Sequence, residues 1–89
     1  MKLLLVEDDY ELSKALGKAL QSEGFIIDPA NTGEAALFLA AESTPEAVIL
    51  DIGLPDMSGL QVLEKIRQKS PDLPILILTA RDSPDDKVS

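Results

Sequence analysis

The residues best suited to chemistry in this chain stand directly after short apolar runs. The run LLLV leads into Glu7, Asp8 and Asp9. The run AVIL leads into Asp51, and ILIL leads into Thr79. Adjacent carboxylates repel one another unless a cation lies between them, and Mg²⁺ prefers oxygen ligands in a site that keeps several waters. These residues therefore indicate metal-assisted chemistry on a phosphoryl group.

Each of these residues has a chemical role and a plainer structural one. Asp51 is the candidate nucleophile, because a carboxylate can attack a phosphoryl group and form an aspartyl phosphate, while a metal ion offsets charge on the transferring oxygens. Thr79 could donate its hydroxyl to such an oxygen, and Gly53 could offer its carbonyl to the metal. Taken singly, Asp51 and Gly53 also fit a simple turn, and Thr79 fits a strand. Asp9 is the best candidate for a helix N-cap.

The elements that must position these residues follow from the hydrophobic pattern. Short continuous apolar runs between helical stretches are typical of parallel strands buried on both faces. Strands are predicted at 3–6, 25–28, 47–50 and 75–78, with Pro29 ending the second. Because the crevice of such a sheet lies at the carboxyl ends of its strands, acids that follow separate strands should converge there.

Helices are predicted between these strands. The first has Asp9 as N-cap and Gly24 just past its end. The second begins at Thr32, and another helix should begin at Ser83, with Pro84 in its first turn. The expected inward faces comprise Leu12, Ala15, Leu16, Ala19 and Leu20 in the first helix, Ala36, Leu39 and Ala40 in the second, and Leu60, Leu63 and Ile66 in the third. The alternating order predicts an α/β fold with a doubly wound parallel sheet and right-handed crossovers.

Composition limits the classes of function that the chain can have. Its 89 residues suffice for one small domain, and a hydrophobic content of 45% with only 3% aromatic residues predicts an aliphatic core. A formal charge of −8 argues against binding to nucleic acid or anionic membranes. The first apolar run is too short for a signal peptide, and no stretch approaches a membrane span. A cytoplasmic location is therefore expected.

Two other classes of phosphate-handling protein fit the pattern less well. A P-loop or dinucleotide fold would place glycines after the first strand, where this chain has acids. A phosphohydrolase of the haloacid dehalogenase type also uses an aspartate nucleophile at a strand end. That type needs a second Asp two residues later, where this chain has Gly53.

Three stretches of sequence resemble the receiver domain of bacterial two-component response regulators. They are LLLVEDD, VILDIGLPDMSGLQVL and ILILTARD, which occur in the order found in that family. The LPDMSG stretch and the ending from Arg81 to Val88 are most similar to the OmpR/PhoB class of transcription factors. The resemblance covers residues 1–89 and implies a flavodoxin-like, three-layer α/β/α receiver fold.

The resemblance implies a role for each residue that matches a motif. Asp51 matches the phospho-acceptor, which takes its phosphoryl group from a phosphohistidine on a sensor histidine kinase. Asp8 matches a direct Mg²⁺ ligand and Glu7 one that acts through water, while Gly53 matches the backbone carbonyl that completes the metal site. Thr79 matches the switch hydroxyl. Ala80 matches the small residue that leaves room for the phosphate.

The sequence also departs from the family. A lysine at the end of a fifth strand and an aromatic switch residue have no counterpart, and Lys87 does not replace that lysine because it falls in the predicted final helix. The expected protein is a phospho-acceptor rather than a turnover enzyme, which would reach DNA only through a C-terminal domain not present here. A homodimer is one option, since an uncovered fourth strand would be an exposed edge. The alternatives are an interaction module that accepts no phosphate and a metal-dependent phosphatase.

Overall fold

The computed structural model describes residues 1–78, and the predicted alternation of strands and helices is confirmed in this range. Thr79, Ala80 and the predicted final helix at Ser83 lie outside the described residues. The strands are β1 (Lys2–Val6), β2 (Ile26–Ala30), β3 (Ala47–Asp51) and β4 (Ile75–Leu78). The helices are α1 (Tyr10–Ser22), α2 (Gly33–Glu42) and α3 (Gly59–Lys69).

The four strands form one parallel sheet in the order β2-β1-β3-β4. The register sets Val6 opposite both Ala30 and Leu50. As a result, β1 and β3 end side by side, and the residues that follow them share one edge of the sheet. The predicted doubly wound, flavodoxin-like α/β fold is confirmed. Within residues 1–78, β4 pairs with β3 alone.

The core is aliphatic, as the composition predicts. Alternate residues of a strand point to opposite faces of the sheet, and Leu4 and Val6 face the side on which α2 and α3 pack. Leu3 and Leu5 are buried as well, and α1 contacts β1 and β2. The central strand is therefore covered on both faces. Among residues 1–78, none of the helices has both the length and the hydropathy to cross a membrane.

The prediction that Pro29 ends the second strand is wrong. β2 runs from Ile26 to Ala30 and includes Pro29, which lies opposite Leu5. A proline lacks the N–H that a central strand must donate, but among residues 1–78 β2 pairs with β1 alone and so forms an edge of this sheet. Proline is tolerated on edge strands for that reason.

The predicted inward face of α1 is largely wrong. Of the five residues predicted to face inward, Leu16 and Leu20 are half-buried, and the other three are exposed: Leu12, Ala15 and Ala19. The buried residues of the helix are Ser13 and Gly17, and a Cβ on Gly17 would lie 4.0 Å from Cγ2 of Ile27 in β2. The predicted caps are confirmed: Asp9 caps α1, and Gly24 after its end has a φ of 98°.

The prediction for α3 also needs one correction. Leu60 is 52% exposed, whereas Val62 and Ile66 are buried and face the core. The start of the helix fixes this rotation: Ser58 is its N-cap, and Ser58 and Gln61 bond each other's backbone N–H groups in a capping box. Leu60 therefore lies in the first turn, on the side turned away from the sheet.

Candidate functional site

The three acids after β1 have separate surroundings. Glu7 is 1% exposed, its backbone N–H donates to the carbonyl of Ala30 at 3.0 Å, and its Oε2 accepts the N–H of Asp9 at 3.1 Å. Asp8 is exposed at the mouth of the site. Asp9 turns to the helix instead, where its Oδ1 accepts the N–H of Leu12 at 3.1 Å. The prediction that Asp9 caps the first helix, whereas Glu7 and Asp8 belong to the acidic cluster, is confirmed.

Asp51 is the last residue of β3 and is only 2% exposed. Part of its cover is the first residue of α3, Gly59, because a Cβ at that position would lie 2.6 Å from the carbonyl oxygen of Asp51 and 2.5 Å from the Cα of Ile52. Only glycine permits this approach of helix to strand end. The helix therefore begins directly against the backbone at the end of β3.

The carboxylates of Glu7, Asp8 and Asp51 converge at the carboxyl ends of β1 and β3. One oxygen from each lies within 4.8 Å of the others. The predicted meeting of these three side chains is thus confirmed. Three negative groups this close, two of them buried, favour a bound cation, and a set of carboxylate oxygens suits a hard divalent ion such as Mg²⁺. The donor set fits magnesium, and the binding itself stays a prediction.

Gly53 lies two residues after Asp51, in the loop that leads to α3. Its N–H points toward Oδ1 of Asp51 at 3.4 Å, and its backbone forms a bridge with Ser58. The use of its carbonyl as a metal ligand stays a prediction. So does the switch role of Thr79, which lies with Ala80 outside the described residues.

Two residues that the sequence reasoning missed hold the segments around this site. Asn31 donates from Nδ2 to the carbonyl of Glu7 at 3.1 Å. Asp56 accepts the N–H groups of Gly33 and Glu34 at 2.7 and 3.0 Å, and these two bonds hold its pKa below the ordinary value. Each of these hydrogen bonds joins two segments that are far apart in the chain. A sequence signal existed only for Asp56, in the LPDMSG stretch, and it did not reveal the partner.

Comparison with known proteins identifies the family. The sequence model of the response regulator receiver domain matches residues 3–89. The probable transcriptional regulatory protein TcrX of Mycobacterium tuberculosis is 42% identical over 87 residues, which are 98% of this chain and 37% of that protein. The chain therefore spans little more than a third of the length of this curated relative.

Solved structures agree with the sequence relatives. The response regulator TrrA of Thermotoga maritima, in complex with Mg²⁺-BeF, has a TM-score of 0.87 and 38% identity, and the match covers 98% of this chain and 76% of that one. A chain in the complex of the histidine kinase ThkA with TrrA has a TM-score of 0.85 and 39% identity, covering 94% of this chain and 72% of that one. With the sheet order and the acidic cluster described above, these matches show that the chain belongs to the response regulator receiver domain family.

Proposed function

We propose that residues 1–89 form a receiver unit in which Asp51 accepts a phosphoryl group from a phosphohistidine on a sensor histidine kinase. The observation that carries the proposal is the position of Asp51. It ends β3, is 2% exposed, and has a carboxylate oxygen within 4.8 Å of oxygens of Glu7 and Asp8. A buried carboxylate among other acids at the carboxyl edge of a parallel sheet fits a metal-assisted phospho-acceptor.

The transfer needs one bond to form and one to break. A carboxylate oxygen of Asp51 attacks the phosphorus, the phosphorus–nitrogen bond breaks, and the electron pair returns to the imidazole of the kinase. Glu7, Asp8, Asp51 and the Gly53 carbonyl would hold Mg²⁺, which when bound neutralises charge on the phosphoryl oxygens. Asp51 is only 2% exposed, so its side chain has little contact with bulk water.

The partners follow from the same proposal. TrrA, to which this chain is similar, forms a complex with the histidine kinase ThkA, and TcrX is a probable transcriptional regulator. We extend both properties to this chain: a sensor kinase as phosphoryl donor, and control of transcription through a DNA-binding domain in the same protein. The proposal also includes a phospho-acceptor without turnover, a cytoplasmic location and the capacity to form a homodimer.

Acetyl phosphate with Mg²⁺ tests the proposal directly. Intact-protein mass spectrometry should show one added phosphoryl group, and beryllofluoride should block its addition. Asp51→Asn should abolish the addition and retain the fold, because it conserves the size of the side chain. Asp28→Asn is the matched control, since Asp28 lies on the neighbouring strand β2 outside the cluster. Persistent labelling of the Asp51→Asn protein would place the nucleophile elsewhere. Absence of labelling in both the wild-type protein and Asp28→Asn would favour an interaction module that accepts no phosphate.

A further inference from the structure

The connection between β3 and α3, residues 52–58, is attached to a different helix by an exposed acid. Oδ1 of Asp56 accepts the N–H of Gly33 at 2.7 Å, and Oδ2 accepts the N–H of Glu34 at 3.0 Å. Helix α2 already has its own N-cap, because the hydroxyl of Thr32 accepts the N–H three residues further on at 3.0 Å. Asp56 thus binds two N–H groups that the cap leaves without an intrahelical partner.

The next residue of the connection strengthens this attachment. A Cβ at Gly33 would overlap Cγ of Met57, and it would lie 3.1 Å from Cγ2 of Val62. The side chain of Met57 therefore occupies the space that any larger residue at position 33 would need. Two consecutive residues of the connection therefore contact the first turn of α2: Asp56 accepts hydrogen bonds from it, and Met57 packs against it.

The other end of the same connection carries Gly53. The N–H groups of Leu54 and Gly59 both donate to the carbonyl of Ile52, at 3.0 and 2.8 Å, and Gly53 bridges to Ser58. Residues 52–59 thus form a turn closed by its own backbone hydrogen bonds. These bonds connect the middle of the turn, where Asp56 lies, with the peptide of Gly53.

The residues that lead into α2 are attached to the end of β1 close to the acidic cluster. The N–H of Glu7 donates to the carbonyl of Ala30 at 3.0 Å, and Nδ2 of Asn31 donates to the carbonyl of Glu7 at 3.1 Å. Ala30 ends β2, and Asn31 lies in the short connection between β2 and α2. A series of contacts therefore runs from Glu7 through this connection and the start of α2 to Asp56, and from there along residues 52–58 to Gly53.

We propose that Asp56 is a positioning residue for the metal site: it holds the carbonyl of Gly53 at a fixed place relative to the carboxylates of Glu7, Asp8 and Asp51. The inference rests on the proposed function, because it assumes that this carbonyl binds Mg²⁺. Mg²⁺ demands near-ideal octahedral geometry, so a turn released from α2 presents the oxygen less well. Loss of Asp56 should therefore lower metal affinity by more than the loss of stability explains.

Calorimetric titration of the intact protein with MgCl₂ alone tests the role, beside thermal unfolding of the metal-free form. Asp56→Ala should weaken Mg²⁺ binding about tenfold. This is the lower end of the loss of metal affinity that follows when a residue that orients a metal ligand is removed. Asp56→Asn keeps one carbonyl oxygen for the N–H of Gly33 and should recover part of the affinity. Thr32→Ala is the matched control, because it removes a hydrogen bond from the same helix end without touching residues 52–58.

The outcomes separate a positioning role from a structural one. Weaker binding by Asp56→Ala, with unchanged binding by Thr32→Ala at a similar melting temperature, supports the inference. Unchanged Mg²⁺ affinity in Asp56→Ala overturns it, as does an equal loss in Thr32→Ala. If Asp56→Ala does not fold, Asp56→Asn decides: wild-type affinity in that variant overturns the role and weaker binding supports it. Absence of Mg²⁺ binding by the wild-type protein would refute the proposed function itself.

Discussion

The acidic cluster after β1 and β3 and the single acid Asp56, in the connection between β3 and α3, have opposite electrostatic surroundings. Glu7, Asp8 and Asp51 bring carboxylate oxygens within 4.8 Å of one another. Asp56 instead presents its carboxylate to the N–H groups that begin α2. The first arrangement concentrates negative charge, which opposes folding and favours a cation. The second matches negative charge to the positive end of a helix and so stabilises both. The chain thus places carboxylates in two different electrostatic surroundings.

The largest effect on metal binding that the comparison predicts follows from removing one charge of the cluster. Asp8→Asn should weaken Mg²⁺ binding at least about tenfold and, because it relieves repulsion, raise the free energy of unfolding without metal by on the order of 1 kcal/mol. Titration calorimetry and urea unfolding at low salt measure the two quantities. Asp9→Asn is the neighbouring control, since asparagine is an equally good N-cap and should change neither. Unchanged metal affinity in Asp8→Asn would remove Asp8 from the site.

An effect on stability alone should come from the contact beside Asp56. Gly33→Ala introduces a Cβ into the space of Met57 and should lower the free energy of unfolding by about 1–3 kcal/mol, as overpacking does. Met57→Ala empties that space, so the double variant should be more stable than the sum of the two single losses predicts, by about 1 kcal/mol. Urea unfolding of the four proteins gives the coupling. If the two changes in the free energy of unfolding simply add in the double variant, Met57 does not pack tightly against Gly33.

The smallest expected effect is a dependence on pH. The N–H groups of Gly33 and Glu34 lower the pKa of Asp56, so its contribution to stability is present above the ordinary aspartate pKa and is lost as pH falls through the lowered value. The difference in unfolding free energy between the wild-type protein and Asp56→Asn should be constant near neutrality and shrink below about pH 4. Thr32→Ala removes an uncharged cap, so its effect should not vary over that range. A constant difference down to pH 2 would contradict the assigned bonds.

Much of the fold could be predicted because it depends on local patterns. The run LLLV must be buried on both faces, and Asp9, Thr32 and Gly24 occupy the cap positions that their chemistry favours. The failures lie where packing outweighs pattern. Periodicity cannot show that Ser13 and Gly17 are the buried residues of α1, or that β2 lies at an edge of the sheet described by residues 1–78, where it can contain Pro29.

The candidate site could be predicted in part for the same reason. Glu7, Asp8 and Asp51 converge because each follows a parallel strand, and parallel strands bring their carboxyl ends to one edge. Their surroundings could not be read in advance. Asp51 is only 2% exposed, and the backbone of its peptide touches the first residue of α3, a contact that requires a glycine eight positions later in the chain.

The sequence by itself determined the order of strands and helices, the helix caps, the aliphatic core and the three acids that meet. Those features depend on the identity of a residue and its near neighbours, or on the rule that parallel strands share one direction. Only the tertiary structure decided which faces of α1 and α3 are buried, and that Asp56 binds the start of α2. Contacts between segments far apart in the chain depend on how close two elements approach, and hydrophobic periodicity carries no information about that distance.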